Sequence, residues 1–196
     1  MKKWIPIIAI AAILLLWGIP TYNSFVSLDE DVGAQWGNVE SSYQRRADLI
    51  PNIVNTAKGY AEFEQETLIK VTEARSKATS VTIDPSNITP EQLAQFQEVQ
   101  NGLSSALARL LAVFERYPDL KANENFKELI NELERTENRI NTERNRFNET
   151  LNPYNEKTRS FPSVIIGKAF GFNKKPYFEA EEGADQAPEV DFDFGN

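Results

Sequence analysis

Five glutamates, Glu132, Glu134, Glu137, Glu143 and Glu149, fall within one stretch of the 196-residue chain. Carboxylates gathered inside a helical bundle can hold a di-iron centre, but such centres pair the glutamates with Glu-x-x-His motifs. This chain contains no histidine and no cysteine, so imidazole ligation, thiolate metal sites, disulfides and His- or Cys-based nucleophile systems are all excluded. A hydrolytic carboxylate pair finds no better support. The glutamates alternate with Arg135, Arg139, Arg144 and Arg146, which is how a solvated helix stabilises itself through pairs three and four residues apart. Ser104 and Ser105 have no base at triad spacing that the sequence can show. The expectation is a non-enzymatic protein with no catalytic residues, no cofactor and no metal.

Charge narrows the partners. The formal net charge is −8, and basic residues cluster no further than the pairs Lys2-Lys3, Arg45-Arg46 and Lys174-Lys175. Phosphate neutralisation has little to work with, so nucleic acid is not an expected partner.

The elements that would carry these residues begin with MKKWIPIIAIAAILLLWGIP, which runs from Trp4 to Pro20 without a charge, about 25 Å if helical. No small-x-small cleavage site follows it, so an uncleaved anchor over residues 1–21 is preferred to a signal peptide. Lys2 and Lys3 precede the span and Asp29, Glu30 and Asp31 follow it, placing the N-terminus in the cytoplasm and the remainder outside a bacterial inner membrane.

Beyond the anchor no segment alternates with period two, whereas apolar residues recur three and four apart, so residues 22–172 are expected to form an all-α, elongated antiparallel bundle. Leu93, Phe96, Gln100, Leu103, Leu107, Leu110, Phe114 and Tyr117 step 3-4-3-4 between Pro90 and Pro118, with Thr89 as N-cap. A second seam runs from Phe126 through Ile130, Leu133, Glu137, Ile140, Arg144, Phe147 and Leu151 to Tyr154. The first helix would present Phe25, Val32, Trp36, Val39, Tyr43, Ile50, Ile53, Ala57 and Tyr60, and its register continues to Val71 and Ala74. Three long helices follow from this reading, about 90, 42 and 60 Å in length. The third would then end far from the bilayer and leave the lower half of the first uncovered. Either the first helix breaks and folds back, or copies of the protein pack together as a homo-oligomer.

Pro51 lies inside the first helix, where it removes a backbone hydrogen bond and crowds the preceding carbonyl. Asp48 is placed to cap a restarted turn, and Arg45 or Arg46 to reach the freed carbonyls or an acidic side chain. Arg46 also holds a seam position, as do Glu137 and Arg144. An Arg46–Glu137 pair would fix helix register; alternatively all three stems reach solvent.

The run YNSFVSLDEDVGAQWGNVESSYQRRADLIPNIVNTAKGYAEFEQETLIKVTEARS closely resembles the bacterial LemA family, as do RYPDLKANENFKELINELERTENRINTERNRFNETLNPYNEKTRSFP and the closing YFEAEEGADQAPEVDF. The resemblance implies a single N-terminal membrane helix and an antiparallel helical bundle. It supplies no catalytic motif to carry over.

After the third helix, SFPSVIIGKAFGF predicts a short fourth helix from Pro162 to Phe170, closed by Gly171 and capping the distal end of the bundle. Phe161, Ile165 and Phe172 would otherwise form a docking patch for a neighbouring subunit. Residues 173–196 read as an acidic tail, with seven acidic and no basic residues from Tyr177 onward. Val190 and Phe192 would anchor it if it docks as an extended peptide across a subunit boundary, and a free tail is the alternative. The function expected is a membrane-anchored protein that self-associates into a scaffold at the cell envelope. The alternative is an adaptor for another membrane protein, such as a quality-control protease.

Overall fold

The computed structural model describes residues 5–60 and 64–179. Six α-helices make up the fold: α1 (Ile5–Lys58), α2 (Gln65–Ser80), α3 (Pro90–Phe114), α4 (Pro118–Ala122), α5 (Glu124–Arg159) and α6 (Ser163–Phe170). Four of them, α1, α2, α3 and α5, run up, down, up and down as a bundle. The tails of the sequence seams match this packing. Leu93 and Phe96 at the start of α3 share one core with Phe25, Val32 and Trp36, whereas Leu110 and Phe114 at its end share another with Ile53 and Ala57.

The first helix does break, though not where the proline stands. α1 continues through both Pro20 and Pro51 and ends at Lys58, and α2 then folds back along it. Apolar periodicity hid the reversal, because the buried face resumes at Leu68 and Val71 in a register compatible with one long helix. Pro51 leaves the carbonyl of Ala47 without its helical donor, in a residue only 2% exposed. Arg75 on α2 supplies the replacement, its Nε donating to that carbonyl at 2.7 Å. No turn restarts at Asp48, whose carboxylate instead accepts from Gln44 at 2.7 Å. Arg45 and Arg46 take no part in the repair; both reach carboxylates on α5.

Helix starts follow their local chemistry. Thr89 and Gln92 form a reciprocal capping box with Pro90 at the first helical position of α3. Asn123 caps α5 by accepting from the Phe126 amide at 3.0 Å, and its own amide donates to the Tyr60 hydroxyl at 2.9 Å. That second bond ties the top of α5 to the turn at which α1 reverses. At the other end of α6, Gly171 takes the left-handed conformation, φ 81°, that a residue with a Cβ resists.

The additional reversal moves the end of α5. It descends beside α1 and finishes near residues 22–25, not far from them as expected, with Lys157 donating to the Ser24 hydroxyl. α6 therefore packs at the bottom of the bundle and does not cap its distal end. A Cβ on Gly167 would lie 3.3 Å from the Phe25 ring, and the rings of Tyr22 and Phe170 meet edge-on at 4.9 Å. The lower face of α1 is covered within one chain: Phe25, Val32, Trp36 and Val39 are each at most 2% exposed. Among the described residues no helix is long and apolar enough to cross a membrane. The anchor expected over residues 1–21 takes in residues 1–4, which lie outside them.

The carbonyl repair makes a testable pair. Arg75→Leu is expected to cost about 1–3 kcal/mol by stranding the Ala47 carbonyl. Adding Pro51→Ala restores a backbone donor to that carbonyl, so the same Arg75→Leu change should cost less in the double variant. Chemical unfolding of the full chain in mild detergent reads both, and an equal loss in the two backgrounds would contradict the assignment.

Candidate functional site

Two apolar cores, one above and one below, are divided by a polar layer centred on Arg46. Its side chain is 1% exposed. One terminal nitrogen donates to Glu137 Oε1 at 2.6 Å and to Ser104 Oγ at 2.8 Å; the other donates to Gln100 Oε1 at 2.6 Å. Gln100 passes the connection on, donating from Nε2 to the Ala78 carbonyl at 3.1 Å. A single layer thus joins α1, α3, α5 and α2. The Arg46–Glu137 pair read from the two seams forms, with Glu137 keeping 35% of its side chain in water. Arg144, the other charged seam residue, is half-buried and turns to a different task described below.

Glu143 was counted among the solvated glutamates, and the structure corrects this. It is 4% exposed, accepts from Gln35 Nε2 at 2.9 Å and pairs with Arg146 at 3.1 Å. Glu132 does lie on the surface. Hydrogen bonds from Arg45 and then Arg135 hold its carboxyl below the usual glutamate range.

α3 and α5 approach each other little, and between them lies an open groove of about 490 Å³ whose floor is Arg46, Gln100 and Ser104. Tyr43, Leu107 and Leu133 add apolar wall, and Asn138, Asn141 and Arg144 line the α5 side. At the floor the Arg46 guanidinium and the Glu137 carboxylate engage each other.

Residues 172–179, the first part of the segment read as tail, run extended over α1 and α5. Phe172 stacks on Phe25 with centroids 4.8 Å apart and is half-buried. Lys175 is 4% exposed and donates to Asp29 at 2.5 Å and to the Pro85 carbonyl at 2.8 Å. Its ammonium also sits 5.0 Å above the Tyr154 ring. Burial, and secondarily the Asp29 carboxylate, push the Tyr154 phenol well above its ordinary range. Phe178 enters the lower core, stacked on Trp36 at 5.9 Å.

Two asparagines on α5 clamp this strand. Asn155 donates to the Lys175 carbonyl and accepts from the Lys175 amide, both at 2.9 Å. Asn148 does the same for Phe178, at 2.9 and 2.8 Å. Seven helical residues advance about 10.5 Å and three extended residues about 10 Å, so the two repeats keep step. The next rung at the same interval is Asn141, in the groove. Arg144 donates to the Glu179 carbonyl at 2.9 Å between the last clamp and that rung, with its guanidinium carbon 5.0 Å from the Phe178 ring centre. The seven-residue spacing of asparagines was present in the sequence; without knowing that a strand lies beside α5 it carried no meaning.

A family model for LemA matches residues 35–192, which include the polar layer, the groove and the clamped strand. The chain belongs to the LemA family. Among curated relatives it is similar to magnetosome protein MamQ 2 of Paramagnetospirillum magneticum, 26% identical across 91% of this chain and 71% of that protein. MamQ of Magnetospirillum gryphiswaldense is also 26% identical, across 84% of this chain and 66% of its own length. Protein LemA of Metamycoplasma hominis is 28% identical across 52% of this chain and 43% of that protein. The RRxDLIPN run of this LemA-family chain now has a physical account. It holds the buried arginine, the proline whose carbonyl Arg75 repairs, and Arg45, which pairs with Glu132 at 2.5 Å.

Of the remaining residues singled out from sequence, Phe161 and Ile165 are 83% and 54% exposed beside α6, while Val190 and Phe192 lie outside the described residues.

Two predictions follow from the layer and the clamp. Glu137→Leu strands the Arg46 guanidinium and should lower stability by about 3 kcal/mol, toward the lower end for a broken buried pair because Glu137 is partly solvated. Arg46→Met should cost less, and the double variant should recover part of the Glu137→Leu loss; strictly additive losses in chemical unfolding would contradict the pairing. Asn148→Ala removes two hydrogen bonds worth about 1 kcal/mol each, so trypsin should cut after Lys174 about thirtyfold faster than in the parent chain. An unchanged rate would show that Asn148 does not hold the strand.

Proposed function

We propose that this LemA-family protein is a non-enzymatic, membrane-anchored adaptor of the bacterial cell envelope, whose α3–α5 groove holds an extended segment of a partner membrane protein. The observation that carries this reading is the asparagine ladder. Asn155 and Asn148 already bind an extended backbone through both its amide and its carbonyl, and Asn141 repeats the spacing inside the groove. A side-chain amide that pairs with both the N–H and the C=O of one residue reads the backbone, while the pockets beside it select side chains. The described chain reaches Glu179 at one end of the groove, so the chain's own continuation is the natural competitor for the same surface.

Anchoring draws its support from α1. Below the bundle Leu14, Leu15, Leu16 and Ile19 are 57–78% exposed, on a run that carries no charge from Trp4 to Pro20. Apolar side chains on every side of a helix suit a lipid surround. Lys2 and Lys3 orient the N-terminus to the cytoplasm. Self-association into a scaffold rested on an uncovered lower face of the first helix. α5 and the 172–179 strand cover that face, so the groove carries the functional argument in its place.

A photoreactive side chain at Asn138 in the full-length protein, activated in native membranes, tests the groove directly. A discrete heavier adduct with another protein, lost when Asn141→Leu is added, is the expected result. An adduct only with a second copy would restore the scaffold reading, and one only within the same chain would make the groove a seat for its own C-terminal residues. Either would overturn the adaptor assignment. The mass in mild detergent should meanwhile be that of one chain.

A further inference from the structure

The lower end of the bundle differs in charge from everything above it. Residues 157–175 hold Lys157, Arg159, Lys168, Lys174 and Lys175 and not one acidic residue, in a chain whose net charge is −8. Lys175 is consumed internally by Asp29, and Lys157 lies against Ser24 and the Phe25 ring, where burial lowers its pKa. Arg159, Lys168 and Lys174 are exposed, and none of them forms an ion pair among the described residues.

The same region carries exposed apolar side chains that the fold leaves bare. Phe161 is 83% exposed, Phe170 60% and Ile165 54%. α6 buries Gly167 against Phe25, which turns Ile165 and Lys168 outward. Single exposed hydrophobes are ordinary, but these three accompany three unpaired cations on one short segment. Their height along α1 decides what they face. α6 touches Gly18, whose Cβ position lies 3.9 Å from Ile166, and it touches Tyr22 through Phe170. Those residues flank Pro20, where the strongly apolar run ends, the level at which a spanning helix would leave the hydrocarbon for the headgroups.

We infer that α6 and the flanking residues Phe161 and Lys174 form a lipid-binding foot, inserting Phe161, Ile165 and Phe170 among the acyl chains nearest the surface while Arg159, Lys168 and Lys174 contact anionic headgroups. The inference rests on the anchored reading given above and extends it to a second attachment. The chemistry is that of an interfacial amphipathic segment: shallow apolar insertion added to attraction toward a negative surface. Two attachments would fix the bundle's tilt, because one helix alone leaves it free to pivot. Acidic Glu30, Asp31 and Glu40 on α1 and the acidic C-terminal residues would keep the rest of the molecule from lying down on the same surface.

The chain has no cysteine, so single-cysteine variants label cleanly. We would place an environment-sensitive fluorophore on Leu16→Cys, Ile165→Cys or Asp119→Cys in the full-length protein. Each would be reconstituted into nanodiscs with bromine-labelled acyl chains, containing phosphatidylglycerol or phosphatidylcholine alone. Expected is strong quenching at position 16, loss of about half the fluorescence at 165 with phosphatidylglycerol, and none at 119. Removing phosphatidylglycerol, or adding Lys168→Glu with Lys174→Glu, should weaken quenching at 165 and leave position 16 unchanged. Quenching at 16 without quenching at 165 would overturn the foot while the anchor stands, including the case in which a second copy covers α6. Equal quenching at 165 in both lipids would overturn the anionic contact. Absence of quenching at 16 would overturn the anchored reading itself.

Discussion

A guanidinium enclosed at 1% exposure must find acceptors or lose several kilocalories to desolvation, and both terminal nitrogens of Arg46 find them on two helices that α1 would otherwise be free to slide past, while its Nε stays unpaired. Leucine on leucine tolerates a shift of one turn. A fork of donors facing one carboxylate, one amide oxygen and one hydroxyl does not, since each wrong register leaves a buried donor unpaired. Buried ion pairs add little net stability over an apolar replacement, so the layer's main contribution is to alignment. The cores above and below close by apolar contact, and Gln100 extends the alignment to α2. The groove is a consequence of the same layer. Its floor needs polar groups at hydrogen-bond distance from Arg46, and the small Ser104 and Ala108 on α3 leave space above them that no side chain fills.

Pro51 imposes the second constraint. A proline in mid-helix creates an acceptor without a donor, and here that acceptor faces a neighbouring helix, so the partner must come from that helix. Arg75 answers only if α2 lies antiparallel to α1 at one height. The fold-back of α2 and the proline are in this sense one feature seen from two helices. From the sequence the link could not be read, because the arginines nearest in the chain, Arg45 and Arg46, looked better placed than one on the next helix. Periodicity reports which side of a helix is buried and says nothing of which way the chain runs. For that reason the seam residues from Leu93 to Phe114 and from Phe126 to Tyr154 were legible, while the reversal after Gly59 was not. The missed reversal inverted the expected position of α6 as well.

Arg46 with Glu137 was legible for a different reason: charged residues at two seam positions have few alternatives to finding each other. Glu143 was not. It lies one position away from the seam residue Arg144, and its burial depends on Gln35 arriving from α1, a contact that no local pattern announces. The strand after α6 was read as tail because it runs on into the acidic last residues of the chain. Its aromatic residues were the better guide, since a tail that only solubilises has no use for Phe172 stacked on Phe25 or Phe178 stacked on Trp36.

That strand connects the two surfaces on which the functional reading depends. At its start Phe172 packs with Phe25 and Tyr22, the residues that seat α6. Midway, Lys175 is held by Asp29 and Asn155, and at its end Arg144 holds Glu179 at the mouth of the groove. An extended segment clamped at 175 and 178 has little slack, because each clamp fixes both the N–H and the C=O of one residue. Displacing Glu179 from Arg144 therefore loads Asn148 and Asn155 before it loads α6, and the order in which those contacts yield follows their number: one carbonyl bond, then two amide clamps, then the aromatic seat. A groove occupant that leaves Glu179 on Arg144 leaves α6 where it is. Only one that strips both asparagines would reach the segment beside the anchor, so the double clamp insulates the lower end of the molecule from events in the groove.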